Sequence, residues 1–168
     1  MSTFVVVNTY AYAVTYVTDK LLTSIKTIVR LSGLSPEKLT NQWTVLERGV
    51  NVWLQSRDLE QLHLEVYDPR TDSLVGRWDF EIFYGFQGDG AFWVDPDAIK
   101  YHIQKQGIWP GSCEYRIVAT TKPGRPDVQG WSKTTLRSTA GFVKQGIGTA
   151  VNGSGLSAGT GYWRKATS

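Results

Sequence analysis

The sequence has few of the residues with which proteins usually build catalytic or metal sites. Its single cysteine, Cys113, cannot form a disulfide within the chain, and its place at the start of an apolar segment predicts a buried, unreactive thiol. The two histidines, His63 and His102, have no second histidine or cysteine at metal-ligand spacing. No glycine-rich phosphate-binding motif and no serine or cysteine nucleophile motif is present. We therefore expect no catalytic residue, no metal ion and no cofactor.

A long apolar run is also missing. The run at residues 4–7 stops at Asn8, and no stretch reaches the roughly 18 apolar residues of a membrane span. No basic residue precedes that first run, so it does not have the pattern of a secretory signal peptide. The simplest expectation is a cytoplasmic protein without a membrane partner.

What is present favours one globular domain. A chain of 168 residues can bury roughly 70% of its unfolded surface in a single core. The hydrophobic fraction of 41% and the seven tryptophans argue against a disordered chain. Since no internal repeat and no interdomain linker is visible, we expect a single domain over residues 1–168.

The last 47 residues, 122–168, differ in character from the rest. They contain nine glycines and eleven serines or threonines, a composition typical of loops, yet apolar and aromatic residues are spread through them. Their seven basic side chains and one acidic side chain give a net charge of +6, whereas residues 1–121 carry −3. We expect a segment that packs on its own domain and can rearrange. Its cations serve either solubility or docking to an acidic partner.

Apolar spacing predicts two helices in the first third of the chain. Over residues 9–31 apolar residues recur three and four positions apart, which places them on one helix face that ends before Gly33. Residues 35–57 repeat this pattern. Ser35 is the predicted N-cap of the second helix, and Pro36 lies in its first turn.

A third helix is predicted after residue 95. Asp95 and Pro96 open it in the same way, and Gly107 closes it. An oxygen site for Ca²⁺ or Mg²⁺ formed by Asp89, Asp95 and Asp97 is a weaker alternative, because the cap already accounts for Asp95.

Three segments alternate between apolar and polar residues, as strands do: 61–67, 74–84 and 113–121. The turn between the first two makes them an antiparallel pair. The third returns to the sheet through the third helix, which would be the crossover connection if it runs parallel to strand 74–84. We expect an α+β fold in which three helices pack on a small antiparallel-rich sheet, followed by an irregular tail.

Short distinctive groups of residues also occur in a characteristic order, which extends over nearly the whole chain. The groups are Tyr16-Val17-Thr18-Asp19, Arg77-Trp78-Asp79, Ala91-Phe92-Trp93, Thr121-Lys122-Pro123-Gly124-Arg125-Pro126-Asp127-Val128, Gly130-Trp131-Ser132, Arg137-Ser138-Thr139, Val143-Lys144-Gln145, Ser154-Gly155-Leu156 and Gly161-Tyr162-Trp163-Arg164. In this order they resemble the bacterial HORMA-domain proteins that accompany cGAS/DncV-like nucleotidyltransferases in CBASS anti-phage signalling operons.

The resemblance implies a HORMA fold with a core over residues 1–121 and a mobile C-terminal safety belt over residues 122–168. In that family the belt wraps over a short extended closure peptide and holds it against the strand that corresponds to residues 113–121 here. The implied peptide-binding residues are Arg116, Val118, Thr120, Trp131, Thr135 and Arg137. The candidate belt anchors are Trp131, Tyr162 and Trp163, with plain core packing as the alternative for each.

The resemblance also implies a non-catalytic signalling adaptor. Its partners would be the closure peptide, a cGAS/DncV-like nucleotidyltransferase that it activates, and an AAA+ remodelling ATPase. That ATPase would pull on an N-terminal handle at Phe4, Val5 and Val6. A second HORMA protein is a further candidate partner. Two alternatives remain open: a single-stranded nucleic-acid binder that uses the basic aromatic tail, and a structural assembly subunit.

Overall fold

Three helices come first in the chain, three strands, a fourth helix and a fourth strand follow, and two long strands come last. The computed structural model describes residues 2–4, 9–85, 92–153 and 155–166. Within that part, the elements in chain order are α1 (Thr9–Leu31), α2 (Glu37–Asn41), α3 (Trp43–Gln55), β1 (Leu59–Asp68), β2 (Ser73–Tyr84), β3 (Trp93–Val94), α4 (Pro96–Gln106), β4 (Glu114–Thr121), β5 (Phe142–Gly153) and β6 (Leu156–Lys165). This is the α+β architecture that the sequence predicts.

The described strands form one antiparallel sheet in the order β3-β5-β6-β2-β1-β4. β2 and β4 both pair antiparallel with β1, so they run in the same direction on either side of it. The chain reaches β4 from β2 by way of α4, as expected for strands that no hairpin can join. β4 is the last strand on one side of the sheet.

The hydrophobic core lies between the helices and one face of the sheet. Alternate residues of β1 and β2 supply that face, namely Leu62, Leu64, Val66, Trp78 and Phe80. The polar residues between them, His63, Glu65 and Asp79, are buried as well. The second face of the sheet, called the polar face below, is therefore also covered.

α1 begins and ends where the apolar spacing predicts. Its inward residues Val14, Val17, Leu21 and Ile25 are fully buried, which is the pattern of an amphipathic helix packed on a core. At 23 residues it is the longest helix described. Among the helices that the structure describes, none combines enough length with enough apolar character to cross a membrane.

The predicted second helix is wrong in one respect, since the structure divides it into α2 and α3 at Gln42. Gln42 has φ −100° and ψ 5°, a conformation that ends one helix and redirects the chain into the next. Because a one-residue turn leaves the apolar spacing nearly unchanged, periodicity gives no sign of it. Pro36 occupies the N-cap position predicted for Ser35, although the Ser35 hydroxyl still accepts a hydrogen bond from the Glu37 N–H at 3.2 Å.

The predictions for α4 and for three strands are confirmed. Asp95 accepts a hydrogen bond from the Ala98 N–H at 3.1 Å, and Gly107 follows the helix with φ 84°. β1, β2 and β4 match the predicted strands to within two residues at each end. Asp89, the third member of the alternative metal site, lies outside the described residues. Within the described ranges, no group of three or more potential metal ligands occurs.

The segment expected to be an irregular tail is irregular only in its first part. Residues 122–141 contain no helix or strand, but residues 142–153 and 156–165 form the paired strands of the β5–β6 hairpin, so the expectation is wrong there. β6 pairs with β2 over eight residue pairs. Glycines conceal these strands in the sequence, although close packing requires them: a Cβ on Gly161 would lie 3.1 Å from the Gln145 carbonyl oxygen. The two-residue strand β3, just before residue 95, was not predicted either.

Candidate functional site

β4 has an edge to which another strand can be added. It pairs with β1 along one side and has no strand partner on the other side among the described residues. Such an edge presents a row of backbone N–H and C=O groups that an extended peptide can satisfy. The chain leaves β4 at Thr121 and returns to the sheet only at Phe142. We call the intervening residues 122–141, which pass beside this edge, the crossing segment.

The crossing segment first packs on α3. The Trp53 indole N–H donates to the Pro126 carbonyl oxygen at 2.7 Å, and the Trp131 indole N–H donates to the Val45 carbonyl oxygen at 2.9 Å. The two indole rings meet edge to face, with centroids 4.9 Å apart. Gly49 admits the Trp131 ring, since a Cβ there would lie 2.3 Å from the indole nitrogen. Trp131 therefore anchors the segment on the helix side of the sheet.

Further along, the segment is fixed to the polar face of the sheet by Glu65. This residue is fully buried and lies between the core residues Leu64 and Val66 in β1, so its side chain points away from the core. The Arg137 backbone N–H donates to Glu65 Oε2 at 2.7 Å, and Arg116 Nε donates to Oε1 at 2.6 Å. These partners compensate a buried carboxylate that would be costly if unpaired.

The same two arginines extend the attachment. Arg137 Nη2 donates to Asp72 Oδ1 at 2.6 Å, which ties the segment to the turn between β1 and β2. Arg116 reaches from β4 to the crossing segment, donating to Thr134 Oγ1 at 2.8 Å and to the Thr135 carbonyl oxygen at 2.5 Å. The crossing segment therefore passes around the free edge of β4, from α3 on one face to the buried carboxylate on the other.

A groove, called the β4 groove below, lies between β4 and the crossing segment. Its main cavity has a volume of about 780 Å³, and a second cavity of about 390 Å³ continues it toward α2 and α3. The apolar side chains that line it include Trp53, Ile117, Val118, Trp131 and Leu136. This arrangement suits an extended segment that pairs with β4 and directs alternate side chains toward apolar walls.

A second buried carboxylate, Asp79, joins the β5–β6 hairpin to the polar face. It is 2% exposed and accepts hydrogen bonds from Arg77 Nε at 2.9 Å and Trp163 Nε1 at 2.8 Å, with Lys144 Nζ 3.4 Å away. His63 Nδ1 lies 2.6 Å from Asp79 Oδ1. Burial alone would raise the pKa of Asp79, but the hydrogen bonds from His63, Arg77 and Trp163 and the electrostatic effect of His63 hold it well below its ordinary value. An ionised carboxylate thus ties the hairpin to β1 and β2.

His63 connects this cluster to the β4 groove. Its ring is 1% exposed, and Nε2 lies 2.8 Å from the hydroxyl oxygen of Thr120. Thr120 lines the groove. The edge of β4 is therefore linked to the hairpin through three side chains in succession, Thr120, His63 and Asp79.

The structure gathers the six predicted peptide-binding residues around β4. Val118, Thr120, Trp131 and Thr135 line the main cavity, Arg116 lines the second cavity, and Arg137 lies beyond them on the polar face. Both arginines are already bound to Glu65, so they hold the crossing segment in place. That these residues bind a peptide stays a prediction.

The three predicted belt anchors make different contacts. Trp131 packs on α3 as described above. Tyr162 is 2% exposed and stacks on Trp78 with ring centroids 4.9 Å apart, and its hydroxyl lies 3.2 Å from His102 Nδ1. Trp163 donates its indole N–H to the buried carboxylate of Asp79. Tyr162 is enclosed, Trp131 packs edge to face against Trp53, and Arg77 and Lys144 lie over the Trp163 ring. These rings therefore do not form the exposed stacking surface that single-stranded nucleic acid would need.

The remaining predictions concern single residues. Of the N-terminal handle only Phe4 is described, and it is 95% exposed; Val5 and Val6 lie outside the described residues.

Cys113 is half-buried rather than buried. Burial still raises the pKa of its thiol, which keeps it in the unreactive protonated form.

Sequence reasoning missed the acidic partners of the basic C-terminal segment. Glu65 and Asp79 occupy polar positions of alternating strands, and this pattern predicts that they face solvent. The available signal was the charge imbalance, because a segment with a net charge of +6 needs acids elsewhere. Arg137 forms salt bridges with Glu65 and Asp72, and Lys144 forms one with Asp79.

Solved structures with the same fold extend over nearly all of this chain. A chain of the mitotic checkpoint complex superposes with a TM-score of 0.76 at 9% identity, covering 92% of this chain and 99% of that one. C. elegans HTP-2 bound to the HIM-3 closure motif gives a TM-score of 0.63 at 14% identity, with coverages of 95% and 90%. A chain of the E. coli MS115-1 HORMA:CdnC:Trip13 complex gives 0.62 at 11% identity, with coverages of 99% and 98%. At such identities these likenesses establish the fold alone.

Family membership rests on the sequence. No curated protein sequence matches the chain. The family model described as Bacterial HORMA domain 2, however, matches residues 1–166. Since that match includes nearly every residue, the chain belongs to the bacterial HORMA domain 2 family.

Proposed function

We propose that this chain is a non-catalytic signalling adaptor that holds a short extended closure peptide in the β4 groove. The observation that carries the proposal is the free edge of β4, with the crossing segment running around it. Main-chain hydrogen bonds to β4 would give affinity, and the side chains that line the groove would select alternate residues of the peptide. C. elegans HTP-2, which shares this fold, was solved bound to a closure motif, and this supports the binding of such a peptide.

In this proposal residues 1–121 form the core of a single domain, and residues 122–168 form the belt. Val118, Thr120 and Thr135 contact the peptide, while Trp131, Arg116 and Arg137 hold the crossing segment over it. The peptide leaves slowly, because the crossing segment must first detach from α3 and from Glu65. Retention is thus a matter of the dissociation rate.

Opening the whole belt would require the β5–β6 hairpin to leave β2. That step breaks eight residue pairs and exposes Leu156, Ala158 and Tyr162, all of which are buried. Exposing a large apolar side chain costs roughly 1.5–3 kcal/mol. This cost favours an opening step driven by ATP, and we assign it to an AAA+ remodelling ATPase that pulls on the N-terminal handle, Phe4, Val5 and Val6.

The peptide-bound chain then binds and activates a cGAS/DncV-like nucleotidyltransferase in bacterial anti-phage defence. Membership of the bacterial HORMA family supports this assignment. So does the E. coli HORMA:CdnC:Trip13 complex, one chain of which shares this fold over 99% of the present chain. A second HORMA protein remains a candidate partner.

The test is reconstitution with a cGAS/DncV-like nucleotidyltransferase from the same operon. A binding peptide is first selected from a random phage-displayed library on the immobilised full chain. Cyclic-nucleotide synthesis is then measured with and without this chain and the peptide, and we expect it to require both. Trp131→Ala should abolish the stimulation, whereas Trp93→Ala, which removes an exposed tryptophan from β3, should not. Synthesis that is equally fast without this chain would refute the proposal.

A further inference from the structure

We infer that the peptide that fits the β4 groove is acidic, with Asp or Glu toward both ends and apolar residues at alternating positions between them. This inference depends on the proposed peptide-binding function. Six charged side chains line the two cavities of the groove, and five of them are basic. They are Lys38, Arg116, Lys122, Arg125 and Lys133, with Asp127 as the single acid.

Two of the five cations are already neutralised within the chain. Arg116 is bound to Glu65 at 2.6 Å, and Arg125 is bound to Asp127 at 2.9 Å. The other three, Lys38, Lys122 and Lys133, are exposed and form no salt bridge with a carboxylate in the described part of the chain. The groove therefore presents a net positive charge to whatever occupies it.

The three lysines that have no carboxylate partner among the described residues are spread along the length of β4. Lys38 Nζ donates to the carbonyl oxygen of Tyr115, near the beginning of the strand, at 2.8 Å. Lys122 follows the last residue of the strand, Thr121. Lys133 borders both cavities and so lies over the middle. A strand paired with all eight residues of β4 is roughly 26 Å long, so its two ends come near Lys38 and Lys122.

The middle of the groove is suited to apolar side chains. Ile117 and Val118 point to opposite faces of β4, and Trp53, Trp131 and Leu136 complete the lining beside them. A strand laid against β4 directs its alternate residues to these same two sides. Acidic residues in the middle would lose hydration against apolar walls, whereas acidic residues near the ends meet ammonium groups in solvent.

A peptide explains these features better than an anionic nucleic acid does. The unpaired edge of β4 offers backbone groups that another backbone can match in register, and a nucleic acid has no equivalent row of donors and acceptors. The indole N–H groups of Trp53 and Trp131 are bonded to backbone carbonyls, and the two rings pack against each other. They are therefore not arranged as successive platforms for bases.

The probe for the test is a phage-displayed library of random peptides at least as long as β4, selected on the full chain at low salt. Enriched peptides are synthesised with a fluorescent label, and their affinities are measured by anisotropy at low and physiological salt. We expect enriched sequences to be net negative, and their affinity to fall as salt rises. In the double variant Lys122→Glu/Lys133→Glu, affinity should fall about tenfold. The matched control is Lys100→Glu, an exposed lysine on α4, which should leave affinity within about twofold.

The outcomes separate this inference from the proposed function. Neutral or basic enriched peptides that compete for the groove and lose binding in Trp131→Ala would overturn the acidic assignment and leave the groove proposal standing. Acidic peptides whose affinity is unchanged in the double variant would also overturn it. Enrichment of no peptide at all would overturn both, as would an oligothymidine that binds more tightly than every selected peptide. Thermal unfolding of each variant shows whether a loss of affinity reflects a loss of fold.

Discussion

Glu65 and Arg137, 72 positions apart in the sequence, meet on the polar face of the sheet. The Arg137 backbone N–H donates to Glu65 Oε2 at 2.7 Å, and the guanidinium carbon lies 3.6 Å from the centroid of the Tyr67 ring. Glu65 has no exposed surface. This contact fixes the far end of the crossing segment on the polar face.

Arg137→Ala should loosen the crossing segment. The variant loses the side-chain contacts with Glu65, Asp72 and Tyr67 and leaves the buried carboxylate with Arg116 as its remaining arginine partner. We expect the free energy of unfolding to fall by about 2 kcal/mol, as measured by urea titration. We also expect a selected peptide to dissociate at least about tenfold faster. Arg164→Ala removes an exposed arginine from β6 and is the control. Unchanged dissociation in Arg137→Ala would mean that Glu65 does not hold the groove closed.

Gly49→Ala should displace the Trp131 ring from α3. The new Cβ would lie 2.3 Å from the indole nitrogen, so the ring has to move and the hydrogen bond to the Val45 carbonyl oxygen is lost. We expect a destabilisation of about 1–3 kcal/mol and faster tryptic cleavage after Lys133 in the crossing segment. Gly111→Ala introduces the same methyl group where no atom lies within 4 Å, and should change neither property. Equal cleavage rates in the two variants would contradict the packing described here.

Asp79 should make stability depend on pH in the acid range. The pKa of Asp79 is lowered in the folded state. Its contribution to the free energy of unfolding is therefore fully present above the unfolded pKa of about 3.9 and is lost as the pH falls below that value. In Asp79→Asn we expect the free energy of unfolding to be about 2 kcal/mol lower near pH 7 and to decline less below pH 4. Glu60→Gln, which changes an exposed carboxylate in β1, should keep the slope of the parent chain. The measurement is urea unfolding across the pH series, and a parent-like slope in Asp79→Asn would count against the ionised cluster.

Truncation after Thr121 should leave a partly folded body. It removes the crossing segment and the hairpin, and so uncovers Trp78 and the edge of β2, with which β6 pairs. We expect weak near-ultraviolet circular dichroism, no retention of peptide and no activation of the nucleotidyltransferase. Activation that survives this truncation contradicts the role of the belt. Arg137→Ala then serves as the second variant, because it weakens the belt without removing a strand.

Much of the fold follows from local patterns, because local chemistry controls those elements. The apolar spacing of α1, the Asp95 cap of α4 and the alternation in β1 and β2 are each set by neighbours in the sequence. The break at Gln42 leaves no such mark, since a single residue near ψ 0° changes the direction of the helix and not its periodicity. The β5–β6 hairpin was not predicted for another reason. Its strands approach closely at positions such as Gly161 and require glycine there, and these glycines interrupt the apolar–polar alternation that indicates a strand.

The candidate site was less predictable than the fold. The resemblance to a family indicated which strand and which segment face each other, and the structure brings the named residues together. The acidic partners of Arg116 and Arg137 could not be predicted in the same way. A buried acid and an exposed acid occupy the same kind of polar position in an alternating strand. Glu65 lies in a run of the form Leu-Glu-Val, which is equally typical of a surface carboxylate.

The route of the crossing segment also hinders pairing between the β4 edges of two copies of this chain. A bare sheet edge invites the edge of a second copy, and such pairing leads to fibres or swapped dimers. Here the covalent chain, docked at Trp131 on one face and at Arg137 on the other, makes a closed ring around that edge. A strand that is already part of another folded sheet cannot enter such a ring, so edge-to-edge pairing is excluded while the crossing segment stays attached at both points.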